Sequence, residues 1–270
     1  MFSLLRSVPS PQSSGRSIGI VSGRGGVGKS ILAVNLGAVL TKRGDKNIII
    51  DADLSNPSIG LHLGLPYSAI GLQDVLGGQR HFRDAILVHP STGMRVLPSS
   101  LKYMRGASLR NLARVVSEVG RAYEFTIIDS PPGLVEDVLH ILDACDEIVV
   151  VTTPDVPGVS SATKIISLCK ASKKRVRGVI VNRCTGAPFE LTVREIESMT
   201  EAPVLVRIPE DRTIPASISM RIPAVYYAPD SPASRKLGEF AMSFVESGKH
   251  EFERPGLIMR LVSWIKRIFS

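Results

Sequence analysis

Eight consecutive residues, 23–30, have the types and the spacing of a phosphate-binding loop. They read Gly-Arg-Gly-Gly-Val-Gly-Lys-Ser and match the pattern G-x-x-x-x-G-K-[ST] at every fixed position. In such a loop, backbone N–H groups and the start of the following helix converge on a polyphosphate. Lys29 would bridge the β- and γ-phosphates, and the Ser30 hydroxyl would ligate Mg²⁺. The nucleotide-binding residues predicted here are Gly23, Arg24, Gly25, Gly26, Val27, Gly28, Lys29, Ser30 and Ile31.

Three aspartates follow apolar runs and could complete a site for magnesium and hydrolysis. Asp129 ends the run 125–128, as expected of a carboxylate that holds Mg²⁺ directly or through water. Asp51 ends the run 48–50, and Asp53 follows two residues later. Alternation along an extended chain places these two carboxylates on the same side, roughly 6–7 Å apart. Because carboxylates repel phosphates, a metal ion or water must lie between them.

The elements that must position these residues alternate between strand and helix. Seven apolar runs are predicted as buried strands, at residues 18–21, 48–50, 94–97, 125–128, 148–151, 179–181 and 204–208. Helices are predicted at residues 31–40, 108–119, 135–144 and 191–199. This alternation predicts an α/β fold, in which a mostly parallel β-sheet carries helices on both faces. Ligands of such sheets bind beyond the carboxyl ends of the strands, where Asp51, Asp129, Asn182 and Pro209 all fall.

The fractions of charged, apolar, Gly and Pro residues are those of an ordinary globular protein. A chain of 270 residues is long enough to bury one sizeable core. Cys145, Cys169 and Cys184 are widely spaced and form no C-x-x-C, which argues against a zinc site or a disulfide framework and predicts reduced thiols. Residues 1–16 are rich in Ser and Pro and are predicted to be a disordered extension, with a transit peptide as the alternative. No apolar stretch approaches the roughly 20 residues that span a bilayer.

The formal net charge of +8 is unevenly distributed along the chain. Residues 164–183 include seven basic side chains and no acid, namely Lys164, Lys170, Lys173, Lys174, Arg175, Arg177 and Arg183. Such a run could contact nucleic acid or an anionic membrane. The simpler interpretation is a solvated helix C-terminus, where cations suit the helix dipole, followed by a turn into the next strand.

The end of the chain, residues 256–270, forms a separate amphipathic unit after a predicted linker at 246–255. At about 100° per residue, its apolar side chains other than Met259 share one arc of roughly 160°, and basic side chains occupy the opposite face. The apolar residues are Leu257, Ile258, Leu261, Val262, Trp264, Ile265, Ile268 and Phe269, and the cations are Arg260, Lys266 and Arg267. This pattern predicts a helix that lies in an anionic membrane surface, with docking on the chain's own core as the alternative.

These motifs resemble the ParA/MinD group of ATPases with deviant P-loops, and in detail its MinD branch. The segment IIIDADLSNPSIGLHLGL resembles the switch I of that group, and IIDSPPG resembles its switch II. The resemblance implies that Asp53 orients the attacking water, and that Asp51 contacts the magnesium shell beside Ser30 and Asp129. Ser58 departs from the pattern, because MinD proteins often carry Asn there.

Arg24 also departs from the pattern of this group. Its position normally holds a signature lysine that reaches across a dimer interface to the partner's nucleotide. An arginine can contact phosphate oxygens through two nitrogens at once, although its angle of approach differs from that of a lysine. The resemblance therefore implies a dimer with an altered rate of hydrolysis, in which Arg24, Lys29 and Asp53 are the catalytic residues.

Two later strand ends resemble the adenine-side elements of the group. They contribute Asn182 with Arg183, and Pro209 with Asp211. An Asn amide offers both a donor and an acceptor to the base edge, and a proline ring can pack on the base face. The alternative is an ordinary turn at each strand end.

The resemblance covers residues 17–245, as a single ATPase domain, and the tail. It implies an ATPase with ATP and Mg²⁺ as cofactors that forms a homodimer on ATP, binds peripherally to the cytoplasmic face of the cell membrane and leaves it after hydrolysis. Such a protein would position cell division or another surface machinery through a protein activator or cargo that the sequence does not name. One alternative is a ParA-type partitioning ATPase that binds DNA, which the basic run favours and the tail disfavours. A flagellum- or pilus-positioning relative is another alternative. An iron–sulfur carrier needs bridging cysteines, and this chain has no suitable pair. An inactive scaffold draws on Arg24 alone and is opposed by the intact Lys29, Ser30, Asp53 and Asp129.

Overall fold

The computed structural model describes residues 15–100, 108–133 and 136–252, and its centre is one eight-stranded sheet. The strands are β1 (Arg16–Val21), β2 (Asn47–Asp51), β3 (Leu87–Val88), β4 (Arg95–Leu97), β5 (Phe125–Asp129), β6 (Glu147–Thr152), β7 (Arg175–Cys184) and β8 (Val204–Pro209). Their order in the sheet is β3-β4-β2-β5-β1-β6-β7-β8. Every neighbouring pair is parallel except β3 with β4. The predicted α/β fold with a mostly parallel sheet is confirmed.

Helices connect the strands. They are α1 (Lys29–Arg43), α2 (Ile59–His62), α3 (Leu72–Leu76), α4 (Leu112–Gly120), α5 (Glu136–Ala144), α6 (Val156–Ala171), α7 (Val193–Thr200), α8 (Thr213–Ser219), α9 (Ala224–Tyr227) and α10 (Pro232–Phe252). Two short 3-10 helices cover Phe82–Ala85 and Leu109–Asn111. The helices predicted from periodicity are found as α1, α4, α5 and α7 with small shifts at their ends.

The core lies on both faces of the sheet because successive strand residues point to opposite sides. Ile49 and Ile127 pack in one cluster with buried residues of α1 and α10. Ile48, Ile50 and Ile128 pack in the other cluster, with buried residues of α3 to α7. The strands are therefore apolar without interruption, as expected for a sheet that is covered on both faces.

Strand register brings the acidic residues to one edge of the sheet. Asp51 of β2 pairs directly with Asp129 of β5. Ile20 of β1 also pairs with Asp129, and the phosphate-binding loop follows β1 immediately. The carboxyl edge of the sheet therefore carries both aspartates and the loop.

The structure corrects two predicted boundaries of the domain. Arg16, assigned from sequence to the N-terminal extension, is the first residue of β1 and forms an ion pair with Glu147 at 3.1 Å. The predicted linker at 246–255 is helical up to Phe252, because α10 continues through residues 246–252. No proline occurs between residues 233 and 252 to interrupt its backbone hydrogen bonds.

Candidate functional site

The phosphate-binding loop ends in an open helix N-terminus. Gly26 and Gly28 adopt left-handed conformations, with φ of 76° and 98°. A Cβ atom at Gly28 would lie 2.3 Å from Asn182 Nδ2, so both the backbone and the available space require glycine there. Among the described residues, no side chain caps the first turn of α1, and that turn contains no acid. Its N–H groups are therefore available to an anion.

Lys29 is the first residue of α1 and is buried, with 8 % of its surface exposed. Burial lowers the pKa of its ammonium group, while the negative charges of Asp129 and Asp53 oppose this shift. A desolvated cation gains more from a bound anion than an exposed one does. The position of Lys29 suits the predicted contact with the β- and γ-phosphates.

Asp129 ends β5 with 1 % exposure and has one unsatisfied oxygen. No described group donates a hydrogen bond to its buried Oδ1. Burial raises the pKa of Asp129 to about 7, although a hydrogen bond from Ser30 and the charge of Lys29 oppose the shift. The nearby charge of Asp53 raises this pKa further.

An orphaned carboxylate oxygen beside a hydroxyl fits the requirements of Mg²⁺. This ion takes one or two protein ligands when phosphates and water supply the others. Among the described residues, no group of three or more His, Cys, Asp or Glu side chains is placed to hold a metal ion. Ser30 and Asp129 are thus placed to hold the predicted metal ion.

Asp51 has a different environment from Asp129, although the two residues are paired across the sheet. Its Oδ2 accepts hydrogen bonds from the backbone N–H groups of Ser58 and Ile59, each at 3.0 Å, and its Oδ1 accepts one from Asp53 at 3.3 Å. Burial and the charge of Asp129 nevertheless raise the pKa of Asp51 well above its usual value. Asp51 therefore organises the segment that leads into α2, a role that the sequence did not reveal. Its place in the magnesium shell stays a prediction.

Asp53 and Ser58 lie on the segment that Asp51 holds. The Asp53 Oδ1 atom accepts a hydrogen bond from the backbone N–H of Asn56 at 2.9 Å. The Ser58 hydroxyl donates to the Ser30 hydroxyl at 2.9 Å. The segment is thereby linked directly to the phosphate-binding loop, and Asp53 lies near Lys29. Orientation of the attacking water by Asp53 stays a prediction.

Arg24 pairs with an acid of its own chain. Its Nη1 lies 2.9 Å from Asp155 Oδ1, and 43 % of the Arg24 side chain is exposed. Asp155 precedes α6 and caps it by accepting a hydrogen bond from the Gly158 N–H at 2.8 Å. Desolvation raises the pKa of the Asp155 carboxyl. Hydrogen bonds from Thr153 and Gly158 and the charge of Arg24 outweigh that effect, so the pKa lies below its usual value. The sequence analysis missed Asp155, because nothing in its spacing links it to the loop.

A cavity lies beside the first turn of α1, where a nucleotide base would follow the phosphates. Its lining includes the predicted residues Ile31, Asn182, Arg183, Pro209 and Asp211. The structure thus brings together residues from α1 and from the ends of β7 and β8. It also adds apolar residues that the sequence analysis missed, namely Leu32, Ile208, Ile214, Pro215, Ile218 and Leu237. The walls of the cavity are largely apolar and also carry the polar side chains of Asn182, Arg183, Glu210 and Asp211, a combination that suits a base-binding site.

Two polar groups of this cavity already have partners. The Asn182 amide donates to the Val27 carbonyl of the phosphate-binding loop at 2.7 Å. The Asp211 carboxylate accepts hydrogen bonds from the backbone N–H groups of Thr213 at 2.8 Å and Ala233 at 3.1 Å. Asp211 therefore joins α8 to α10, and direct recognition of a base by its side chain stays a prediction.

The basic run 164–183 occupies the C-terminal half of α6, a turn and β7. Lys170 pairs with Glu201, and Arg183 lies 3.8 Å from Glu210. Arg175 and Arg177 both pair with the buried Glu147, at 3.5 Å and 3.2 Å. Much of the run therefore forms local ion pairs around a helix end and a strand start, as in the simpler of the two interpretations.

The predicted membrane-targeting helix, residues 256–270, lies outside the described part of the chain. Within the described ranges, no helix is both long enough and apolar enough to cross a bilayer.

Comparisons with known proteins agree with this geometry. The ParA family, described as NUBPL iron-transfer P-loop NTPases, matches residues 14–245. An uncharacterized ATP-binding protein of Methanocaldococcus jannaschii is 35 % identical over 231 residues, which cover 85 % of this chain and 87 % of the relative. The septum site-determining protein MinD of Thermotoga maritima is 29 % identical over 219 residues, which cover 77 % of this chain and 80 % of that protein.

A solved structure extends the likeness to three dimensions. MinD of Pyrococcus horikoshii, complexed with Mg-ADP, superposes with a TM-score of 0.81 at 29 % identity, covering 85 % of this chain and 96 % of the other. The predicted resemblance to the ParA/MinD group is thereby confirmed. With its intact phosphate-binding loop and its match over residues 14–245, this chain belongs to the ParA family of P-loop NTPases.

Proposed function

We propose that this protein is a MinD-like ATPase that binds ATP with Mg²⁺, dimerises, attaches to an anionic membrane through its tail and leaves after hydrolysis. It would thereby position cell division or another surface machinery, from the cytoplasmic face of the membrane. The observation that carries the ATPase assignment is the unsatisfied Asp129 oxygen beside Ser30 and Lys29 at an open helix N-terminus. The membrane assignment rests on the sequence of residues 256–270 and on the likeness to MinD.

Each residue of the site has a separate role in phosphoryl transfer. Lys29 and the N–H groups of α1 hold the phosphates, and Ser30 with Asp129 would hold the metal ion. Bound Mg²⁺ neutralises charge on the phosphate oxygens. Asp53 would orient a water molecule toward the γ-phosphate, because it lies near Lys29 on a segment that is fixed to the loop through Ser58 and Ser30. Catalysis of this kind is positioning and electrostatics rather than covalent chemistry.

Arg24 would act from one subunit on the nucleotide of its partner. To do so it must give up its ion pair with Asp155, which is exposed and therefore contributes no more than about 1 kcal/mol. We expect Arg24→Ala to retain ATP binding but to weaken ATP-driven dimerisation and to slow hydrolysis by roughly tenfold or more. Nucleotide titration, sedimentation velocity and phosphate release measure the three quantities. Arg110→Ala, which removes an exposed arginine elsewhere, is the matched control. Unchanged dimerisation and hydrolysis in Arg24→Ala would remove the arginine from the mechanism.

The membrane switch is tested by co-sedimentation of the full chain with anionic vesicles in ATP, in ADP and without nucleotide. Pelleting that requires ATP and residues 256–270 supports the proposal. Equal pelleting in ATP and in ADP would contradict the proposal. ATP-dependent retention on DNA without lipid binding would favour a partitioning ATPase, the main alternative.

The cysteines give little support to an iron–sulfur carrier, although the family description names iron transfer. Cys145 and Cys169 are buried, and Cys184 is half-buried. Burial raises the pKa of the Cys169 thiol to about 11 and that of Cys145 further still. Thiolates are the form that binds a cluster, so these groups are poor ligands where they lie.

A further inference from the structure

The edge of the sheet opposite the nucleotide site has a basic corner where β1, β6 and β7 begin. We define this basic corner by Lys173, Lys174 and Arg175, at the turn between α6 and β7 and the start of β7. Lys173 is exposed, Lys174 is half-buried, and 54 % of the Arg175 side chain is exposed. β1 runs from this edge to the phosphate-binding loop. Because the strand has six residues, the two lie about 20 Å apart.

Cations exceed acids at this corner. Glu147, only 6 % exposed at its side chain, is shared by Arg16 at 3.1 Å, Arg177 at 3.2 Å and Arg175 at 3.5 Å. Arg16 and Arg177 are the least exposed of the three arginines, with 22 % and 11 % of their side chains exposed. The end of α5 and the turn into β6 add two exposed acids, Asp143 and Asp146, and the Lys174 ammonium group donates to the Asp143 carbonyl at 3.2 Å. Among the described residues at this corner, five cations therefore face three acids.

The chain leaves the fold beside this corner. Arg16 donates to the Phe244 carbonyl and Arg177 to the Ser243 carbonyl, each at 3.3 Å. Both guanidinium groups also stack on the Phe244 ring, at 4.6 Å and 4.4 Å from its centroid. α10 is thus fixed against the corner at these residues and then continues to Phe252.

The distance from the corner to the tail is short. The part of α10 beyond Val245 adds about 10 Å, at 1.5 Å per residue. Only residues 253–256 separate Phe252 from Leu257, the first apolar residue of the predicted membrane helix. A tail bound to a membrane would therefore bring this edge of the sheet close to the same surface, with the nucleotide site facing away.

We propose that the basic corner is a second contact with anionic lipid headgroups, used together with the tail. The inference rests on the membrane attachment proposed above and adds its orientation and its lipid charge requirement. Basic side chains near an anionic surface attract it over about one Debye length, which is about 8 Å at physiological salt. The headgroup phosphates and carboxylates of such lipids suit the guanidinium group of Arg175 and the ammonium groups of the lysines.

The test replaces Lys173, Lys174 and Arg175 together by Gln in the full chain and measures ATP-dependent binding to vesicles of phosphatidylserine and phosphatidylcholine. Glu147 keeps Arg16 and Arg177 as partners in this variant, so the fold is retained. The matched control replaces Arg80, Arg83 and Arg110 by Gln, which removes the same charge from exposed positions far along the chain. Circular dichroism and ATP hydrolysis without lipid should be unchanged in both variants.

We expect the corner variant to bind about tenfold more weakly at low salt, and the difference to shrink at high salt. The control variant should stay within about twofold of the wild type. Equal affinities of the two variants would overturn the inference while leaving the proposed function intact. Loss of duplex DNA binding in the corner variant, with vesicle binding retained, would overturn it in favour of a nucleic-acid surface. Absence of vesicle binding by the wild type would overturn the proposed function itself.

Discussion

Buried carboxylates lie at both edges of the sheet, and they differ in how they are satisfied. Glu147, at the start of β6, has three arginine partners within 3.5 Å. Asp129, at the end of β5, has an oxygen without a hydrogen-bond partner and a pKa raised to about 7 by burial. The edge with Glu147 is stabilised by its ion pairs. The edge with Asp129 retains an unsatisfied carboxylate, which is unfavourable in the free protein but suits a cationic ligand.

Asp129→Asn should have the largest effect, because it removes the charge that would hold Mg²⁺. We expect steady-state ATP hydrolysis to fall roughly hundredfold or more, since metal charge stabilisation contributes several kcal/mol. The nucleotide-free protein should become more resistant to urea at the same time. Asp143→Asn, at an exposed position, should change neither quantity. If the variant lost both activity and resistance to urea, Asp129 would stabilise the folded protein rather than destabilise it.

Glu147→Gln should act in the opposite sense. Removing this charge leaves Arg16 and Arg177 without their buried partner, at a cost of about 3 kcal/mol in the free energy of unfolding. Hydrolysis per folded molecule should stay close to the wild-type rate, because the site lies at the other edge. Glu201→Gln, which breaks only the exposed pair with Lys170, should change the free energy of unfolding far less. A similar small cost for both variants would erase the contrast between the two edges.

The pH dependence of the free energy of unfolding tests the Asp129 edge directly. The folded-state pKa of Asp129 is about 7, against an ordinary value of 3.8. Below the ordinary value both states are protonated, and as pH rises the unfolded chain ionises first, so the folded state loses stability until pH exceeds 7. Between about pH 5 and about pH 8 this loss is about 2–3 kcal/mol.

The measurement is the free energy of unfolding without nucleotide or metal ion, followed over that pH range. Because other groups also titrate, the informative quantity is the difference between the wild type and Asp129→Asn, which should widen with pH. Parallel curves for the two proteins would contradict the assigned pKa.

Ser58→Ala should have the smallest effect, at about 1 kcal/mol. It removes the hydrogen bond to the Ser30 hydroxyl but keeps the backbone bond from residue 58 to Asp51. We expect faster hydrogen exchange in the segment between Asp53 and α2, with the rest of the sheet unchanged. Ser219→Ala, which loses a hydroxyl bond on the exposed end of α8, is the control. Equal effects in the two variants would show that the link between loop and segment carries no energy.

Much of the nucleotide edge could be predicted because its signals are local in sequence. The phosphate-binding loop is one continuous pattern, and Asp51 and Asp129 each end an apolar run. Parallel strands then bring their carboxyl ends to one edge, which is a general property of the fold. These rules place Ser30 and Asp129 together without any knowledge of distances.

The rest depends on pairs that are far apart in the chain. Arg24 and Asp155 are separated by 131 positions, as are Arg16 and Glu147. The backbone bonds to Asp51 depend on the path of a short loop, which no side-chain pattern encodes. α10 went unpredicted because its moderate amphipathicity is broken by glycines, and its helix forms by packing Phe240 and Phe244 on the sheet.

The contacts of Arg16 and Arg177 with α10 have a mechanical consequence. In an uninterrupted helix, the carbonyls of Ser243 and Phe244 accept from the N–H groups four residues later, at positions 247 and 248. Since the two arginines already donate to these carbonyls, the helix can unwind beyond Val245 without stranding them. Gly248 supplies the residue type at which helices most readily stop. Unwinding would therefore lengthen the segment 246–252 from about 10 Å as a helix to about 23 Å when fully extended.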